Sequence, residues 1–293
     1  MTYSIVARDP DTGELGVAVQ SHWFSVGPIV PWARPGVGAV ATQANAEVAY
    51  GPRALELLAR GSDAESTLAR LVEKDRGAAG RQVAIVDAAG RVAVHTGAQC
   101  IPFAGHITDE SVSCQANIMA SERVWPAMID AFGSAAGTLT SRLFAALQAG
   151  EQAGGDMRGR QSAAILVVPA DGEPWRSLVS LRVEDHPEPI HELGRLLALH
   201  DAYAIAGRAD ELVNQRRYGE AARLYREASS LAPTSHELLF WAGLGAAQAG
   251  DMERGVVDVR TAIEMHAGWR ALLARLPPEV APSAAAVLAR LDE

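Results

Sequence analysis

The sequence of 293 residues predicts an α+β domain followed by a small all-α module. Three observations lead to this prediction. Over about residues 1–205, short strand-like segments come in runs separated by pairs of amphipathic helices, an order typical of layered α+β domains. From about Ala202 the chain changes to helix-forming residues rich in Ala, Leu, Arg and Glu. Within that tail, an alternation of small and large residues recurs after 34 residues.

The first predicted element is a hairpin at the start of the chain. Residues 1–8 alternate in a way that favours a strand and places Thr2, Ser4 and Val6 on one face. Asp9–Gly13 is dense in turn residues, and Glu14–Gln20 is the second predicted strand. A strand so close to the terminus would hold the first residues on a sheet instead of letting them fray.

The connection Ser21–Pro35 follows and carries Trp23 and Trp32, which either wall a pocket or cover the edge of the core. Further strands are predicted at Gly36–Gln43, Arg81–Val86, Arg91–His95, Ser111–Met119, Ser162–Pro169 and Ser177–Val183. Helices are predicted at Ala44–Arg60, Ser62–Lys74, Ser121–Phe132, Thr138–Ala149 and His191–Ala206. Helices packed outside two stacked antiparallel sheets would satisfy this order.

The tail, residues 206–293, is predicted to be a separate helical module. Tyr218, Ala221, Tyr225 and Ala228 recur 34 residues later as Met252, Gly255, Val259 and Ala262. The period and the alternation of small and large residues resemble the tetratricopeptide repeat (TPR), so we describe the module as TPR-like. Such modules bind protein segments or mediate self-association.

Composition and charge exclude several classes of function. The formal net charge is −9 without a basic block, which argues against nucleic-acid binding. No apolar run approaches ~20 residues, so no membrane span is expected. The chain lacks a signal-peptide pattern, so we expect a cytoplasmic protein in which Cys100 and Cys114 are reduced.

Thr2 is the candidate nucleophile. Its small side chain would permit removal of Met1, after which one residue would carry both a hydroxyl and the α-amine. An α-amine titrates near ~7.7–8.0, so part of it is neutral at pH 7 and can act as a base. Threonine activated by its own amine is an established form of covalent catalysis. The alternative is that Thr2 is simply a good strand residue.

Several motifs together resemble a known family. The N-terminal hairpin, GVGAVATQA, HTGAQC, CQANIM, GGDMRGRQSAAILVV and LRVEDHPEPIHELGRLL are similar to a bacterial family of unknown function that is classed among the N-terminal-nucleophile (Ntn) hydrolases. The resemblance covers about residues 1–200 and implies a four-layer αββα sandwich over residues 1–205. It also implies that Thr2 is the nucleophile. The reaction is an expectation from fold alone.

Two amides and a polar loop are the other candidates for catalysis and binding. Asn117 and Gln43 are candidates for contacting the oxyanion or the substrate, or they pair with backbone at strand ends. In the glycine-rich loop Gly150–Arg160, Asp156 could orient the terminal ammonium and Arg158 could bind a substrate carboxylate. The alternative is a structural loop held by the same ion pair.

The remaining predicted substrate-binding residues are Ser4, His22, Arg34 and Gln161. No HxH or HxxxH spacing links His22, His95 and His106, so no metal site is predicted. No cofactor is predicted either. Lys74 is the single lysine and lies at a polar helix end, so the lysine that assists the nucleophile in proteasome-type sites has no counterpart.

The sequence therefore predicts an amidohydrolase that cleaves a C–N bond in a small-molecule or peptide-like amide. The alternative is a catalytically inactive Ntn-like scaffold whose TPR-like tail binds a protein partner.

Overall fold

The structure, a computed structural model, describes residues 2–293. The chain divides into two compact units, Met1–Gly194 and Arg195–Glu293. The predicted boundary between residues 205 and 206 lies further along the chain than this division. Among the described residues, no helix is long and apolar enough to cross a membrane.

The first unit contains two antiparallel sheets. The six-stranded sheet has the order β10-β9-β2-β1-β8-β7 and the four-stranded sheet the order β3-β4-β5-β6. The strands are β1 (Thr2–Arg8), β2 (Leu15–Ser21), β3 (Pro31–Arg34), β4 (Gly38–Ala44), β5 (Arg81–Asp87), β6 (Val92–Thr96), β7 (Gly105–Asp109), β8 (Val112–Asn117), β9 (Ser162–Val168) and β10 (Val179–Val183). The predicted α+β class is therefore confirmed.

The two sheets face each other across an apolar core. Alternate residues of β1 and β2, such as Val6 and Val17, pack with Ala39 of β4 and Ala84 of β5. The side chains between these positions point to the outer faces of the sheets, because successive residues of a strand alternate. Each sheet therefore has one face in this core and one face available for helices.

Helices cover both outer faces. On the four-stranded sheet, Val83 and Ile85 pack with Leu55 and Leu68 from helices α1 (Tyr50–Ala59) and α2 (Ala64–Glu73). On the six-stranded sheet lie α3 (Val124–Ser134) and α4 (Leu139–Gln152). A Cβ on Gly16 of β2 would come within 2.5 Å of Leu143 of α4, so helix and sheet are in close contact there. The order of layers is helices, sheet, sheet, helices.

The second unit is helical. It comprises the end of α5 (Pro189–Asn214), followed by α6 (Tyr218–Leu231), α7 (His236–Gln248), α8 (Met252–Met265), α9 (Gly268–Leu273) and α10 (Ala284–Leu291). Side-chain caps begin several helices: Ser235 accepts a hydrogen bond from the backbone N–H of Leu238, and Asp251 accepts one from Arg254. A first core cluster joins α5, α6 and α7, and a second includes Phe240, Val259 and Val287.

Two strands and parts of two helices differ from the predicted elements. Helix α1 begins at Tyr50 and not at the predicted Ala44, because Ala44 is the last residue of β4. β3 lies in the segment predicted as a connection, and β7 lies in a predicted loop; both are edge strands. Edge strands tolerate Pro and Gly, so these two strands contain residues that in a sequence indicate a turn or loop. Helix α5 continues to Asn214, beyond the predicted end at Ala206.

Candidate functional site

The site is built around the first residue of β1. Thr2 is paired with Ser21 of β2 on one side and with Asn117 of β8 on the other, so it lies in the middle of the six-stranded sheet. Thr2, Ser4 and Val6 share the face that carries the core between the sheets. The Thr2 side chain is 4% exposed. Its hydroxyl is therefore held between the two sheets at one end of the core.

Ser21 is the direct neighbour of the Thr2 hydroxyl. The two oxygens, Thr2 Oγ1 and Ser21 Oγ, are 3.0 Å apart, and either could donate the hydrogen bond. Sequence reasoning missed Ser21, although the alternation of Val17, Val19 and Ser21 would have placed it on the same face as Thr2. The contact orients the hydroxyl of Thr2.

The two predicted amides converge on the backbone of Thr2. Asn117 Nδ2 and Gln43 Nε2 each lie 3.4 Å from the Thr2 carbonyl oxygen. Each also donates a shorter bond to Gln82 Oε1, at 2.9 Å from Asn117 and 2.8 Å from Gln43. Since 3.4 Å exceeds the usual N–H···O range, the bonds to Gln82 are the stronger ones.

Gln82, on β5, joins the two sheets and was not predicted. Its Nε2 donates to the carbonyl oxygen of Ala116 on β8 and to Thr96 Oγ1, both at 2.9 Å. Its side chain is fully buried, so these bonds satisfy an amide that would otherwise be costly to bury. In the sequence, its role was indicated only by a single glutamine near the start of the mainly apolar strand RQVAIVD.

A second set of hydrogen bonds continues behind Thr2. Ser4 Oγ donates to Gln43 Oε1 at 2.7 Å and accepts from Gln115 Nε2 at 2.6 Å, and Ser113 Oγ donates to Gln115 Oε1 at 2.8 Å. Ser4 is fully buried and does not line the cavity described next. Its contacts fix the position of Gln43.

The Thr2 side chain opens onto a cavity of about 600 Å³ within the first unit. Gln43, Asn117 and Arg158 line it together with Thr2, so the structure brings four predicted site residues to one place. The other described residues of its wall are Trp23, Val26, Ile29, Val30, Ala44, Asn45, Ala46, Val48, Gly80, Gln99, Cys100, Ile101 and Ile118. The wall is mainly apolar, with amides grouped among its polar members.

The backbone turns sharply after each of the two amides. Ala44, after Gln43, has φ 67°, and Ile118, after Asn117, has φ 55°. This left-handed region is unusual for any residue other than glycine and strained for a β-branched one. Strands β4 and β8 thus end at the cavity wall.

Asp156 and Arg158 form an ion pair beside the cavity. Arg158 Nη2 lies 2.9 Å from Asp156 Oδ2, and Arg158 Nε lies 3.2 Å from Oδ1. The backbone N–H groups of His22 and Arg158 donate to the same carboxylate at 3.0 and 2.9 Å. Arg158 reaches the cavity, whereas Asp156 is behind it and 5% exposed. The carboxylate therefore joins its loop to the end of β2.

Besides Ser4 and Asp156, three further predicted residues do not line the cavity. Arg34 is opposite Gly38, at the far end of β4 from Gln43. Gln161 Nε2 donates to Asp185 Oδ1 at 3.2 Å. The His22 imidazole Nδ1 lies 3.3 Å from the carbonyl oxygen of Arg160. Their role in substrate binding stays a prediction.

Burial disfavours the thiolate form of both thiols near the site. Burial raises the pKa of Cys100, whose Sγ donates to the carbonyl oxygen of Arg81 at 3.3 Å. Burial raises the pKa of Cys114 further, and this side chain lies on the opposite face of β8 from Asn117. Neither thiol is disulfide-bonded. In the part of the chain that the structure describes, no cluster of His, Cys, Asp and Glu is arranged to hold a metal.

Comparison with known proteins finds a family model and a solved structure that are similar to this chain. The model of a family of unknown function, DUF1028, matches residues 2–193. The crystal structure of protein SPO2555 from Silicibacter pomeroyi, of the same family, is 35% identical, with a TM-score of 0.62 over 67% of this chain and 84% of the other. A comparison with curated proteins gave no significant match.

Proposed function

The chain belongs to the DUF1028 family of unknown function, and from its site we propose that it is an N-terminal-nucleophile amidohydrolase with Thr2 as nucleophile. One observation carries the proposal: a buried threonine hydroxyl, oriented by Ser21, faces a cavity whose polar groups are mainly neutral amides. The substrate would be a small-molecule or peptide-like amide. The order of layers, with two sheets between two pairs of helices, is the arrangement expected of an αββα sandwich and supports the proposal.

The proposed reaction has two steps. Thr2 Oγ1 attacks the carbonyl carbon of the substrate amide, and its proton passes through the base to the leaving nitrogen as the C–N bond breaks. Water then cleaves the resulting ester, releasing a carboxylic acid and restoring the hydroxyl. The proposed base is the α-amine of Thr2, which requires removal of Met1. Met1 lies outside the described residues, so this step stays a prediction.

Asn117 is the better candidate for stabilising the oxyanion. One hydrogen of its Nδ2 is committed to Gln82, and the other makes only the 3.4 Å contact with Thr2. That second hydrogen is the one that would donate to an oxyanion bound in the cavity. Gln43 Nε2 is more heavily engaged, because it also lies 3.3 Å from the carbonyl oxygen of Gln115. A donor of this kind contributes roughly 10²–10³ in kcat.

The alternative function, an inactive scaffold, is favoured by one observation. The amide donors beside Thr2 already have acceptors within the protein, so the polar network is satisfied without substrate. In that case the helical unit would carry the function by binding a protein partner or by self-association. The TPR-like assignment is supported by the starts of α6 at Tyr218 and α8 at Met252, 34 residues apart.

The proposed function is tested with an amide-mimicking electrophile, such as a peptidyl boronate or β-lactone, followed by peptide mapping. The assay uses a Cys100→Ala background, because Cys100 lines the cavity and could react in place of Thr2. We expect the adduct on Thr2, loss of the adduct in Thr2→Ala, and an intact mass without Met1. An adduct elsewhere, or no adduct in folded protein lacking Met1, would reject Thr2 as nucleophile.

A further inference from the structure

The charged side chain of the cavity wall is paired with a carboxylate that lies behind the wall. Among the described residues that line it, Arg158 is the one that is charged. Asp156 holds this guanidinium with two bonds, and the Asp156 carboxylate itself accepts two further bonds from backbone N–H groups. A substrate carboxylate would have to compete with this buried partner. The pair therefore presents little net charge to a ligand.

The inner part of the cavity wall is apolar. Val26 and Val30 are 1% and 2% exposed and belong to the core between the sheets, yet they also form part of the cavity wall. Ile29 and Ile118 extend this surface. A group bound against these side chains would lose contact with water, which favours apolar ligands by about 25 cal/mol per Å².

The mouth of the cavity is also apolar. Trp23 and Ile101 line the cavity and are each 57% exposed, and Val48 is exposed beside them. Phe24 and Met157 are exposed next to the lining residues Trp23 and Arg158. Exposed apolar side chains grouped in this way mark binding surfaces. Of the described large apolar residues exposed in the first unit, only Trp175 belongs to a segment that does not contribute to the cavity.

Building on the proposed function, we infer that the cavity takes amides whose acyl part is uncharged and apolar, such as an aliphatic or aromatic acyl group. The scissile amide would meet Thr2, Gln43 and Asn117, and the acyl group would extend along the valine and isoleucine wall to Trp23 and Ile101. Arg158 was predicted to bind a substrate carboxylate. In this assignment the substrate carries an apolar group in place of that carboxylate.

The test measures binding without turnover, by isothermal titration calorimetry on full-length Thr2→Ala. The two ligands are N-methyloctanamide and N-methylsuberamate, which share the amide and the eight-carbon acyl chain and differ by a terminal carboxylate. We expect the octanamide to bind at least tenfold more tightly. Comparable or tighter binding of the suberamate would overturn the inference, as would the absence of detectable binding by either ligand at millimolar concentration.

Surface variants in the same background locate the site. Trp23→Ser and Ile101→Ser should weaken octanamide binding several-fold, whereas Trp175→Ser, which removes an 80% exposed tryptophan away from the cavity, should not. Equal effects of all three would contradict the inference. It would also be overturned if Trp23→Ser lowered the oligomeric mass and left affinity unchanged, because the rim would then bind a second copy. A preference for octanamide combined with failure of the electrophile to label Thr2 would retain this site and reject the nucleophile.

Discussion

At the scale of single residues, the Asp156 carboxylate contacts both a neighbouring segment of the backbone and an arginine side chain. It joins the glycine-rich loop to the backbone of His22 and balances Arg158. Replacing it with asparagine would leave a partly buried guanidinium without its anion. We expect Asp156→Asn to reduce the free energy of unfolding by about 1–3 kcal/mol, measured by urea denaturation.

The matched control for Asp156 is a double variant. If the cost comes from the unpaired arginine, Asp156→Asn combined with Arg158→Met should be less destabilising than the sum of the two single changes. Additive effects would show that the carboxylate acts mainly through its backbone contacts. An unchanged urea midpoint together with lost turnover would instead favour the predicted catalytic role of Asp156.

Thr2 gives the most direct kinetic prediction. Thr2→Ala removes the proposed nucleophilic oxygen and should lower turnover by a factor on the order of 10⁴ or more. Thr2→Ser keeps the hydroxyl and loses only the methyl that restricts χ1, so it should retain part of the rate. Both variants should melt near the wild-type temperature. Turnover by Thr2→Ala within about tenfold of wild type, on a substrate found in the binding assay, would contradict the mechanism.

Some residues of the site could be predicted from the sequence and others could not, and the difference has a physical cause. Gln43 and Asn117 could be nominated because each is a polar residue at the end of a predicted strand. Gln82 and Ser21 matter through pairing between strands: Gln82 and Asn117 are 35 positions apart. No local pattern encodes such a pairing. Arg34 was nominated for its charge alone, and charge does not say at which end of a strand a residue lies.

At the scale of elements, the contact between α7 and α8 depends on two glycines. A Cβ on Gly243 would lie 2.8 Å from the Val259 side chain and 2.9 Å from the Gly255 carbonyl oxygen. Gly243→Ala should therefore force the helices apart and destabilise the helical unit by about 1–3 kcal/mol. Thermal unfolding followed by circular dichroism would measure the effect.

The control for Gly243 is Gly207→Ala. Gly207 is in α5, and a Cβ there would meet nothing within 4 Å. Alanine favours helix over glycine, so this variant should be more stable by about 0.5–1 kcal/mol. Equal effects of the two changes would show that helix propensity, and not close packing, determines stability at this contact.

The segment after α2 provides a pH-dependent prediction. Hydrogen bonds from Arg81, the Gly77 amide and Tyr50 lower the pKa of Asp75 to about 2. An unfolded aspartate titrates near ~3.9, so the stabilisation is present above pH ~4 and is lost as the pH falls toward 2. The stability difference between wild type and Asp75→Asn should shrink over this window. A constant difference between pH ~4 and pH ~2 would contradict the assignment.

Helices and strands were predicted correctly where the apolar periodicity of the sequence was strong. They were missed where pairing with a neighbouring strand determines the structure. The central strands and α1–α4 were placed because their apolar residues recur at the right spacing. β3 and β7 were missed because proline and glycine mark loops in a sequence, whereas at a sheet edge a neighbouring strand suffices to order them. Helix α5 was ended early because the change of composition at Ala202 was interpreted as a boundary.

At the scale of the whole molecule, the cavity, its polar network and the core between the sheets all belong to Met1–Gly194. We expect a chain ending at Gly194 to unfold cooperatively and to retain labelling of Thr2 by the electrophile. Size-exclusion chromatography with light scattering should show a change in oligomeric state if the helical unit mediates self-association. A truncated chain without a cooperative melting transition would contradict this division.

The α+β class and the family could be predicted from sequence because both depend on many segments at once. The proposed reaction stays an expectation, because it would depend on a hydroxyl, an amine and a cavity whose arrangement arises from pairing across both sheets. The apolar rim was equally hidden, since Trp23 was equally compatible with covering the core.

The central position of β1 has a consequence for biosynthesis. Thr2 is synthesised 115 positions before its partner Asn117, and β9, the other neighbour of β2, comes later still. At ~5–20 residues per second, the hairpin of β1 and β2 waits on the order of ten seconds before its neighbours leave the ribosome. Throughout that interval both long edges of the hairpin are unpaired. We therefore expect the early hairpin to present two unpaired strand edges to other chains during translation.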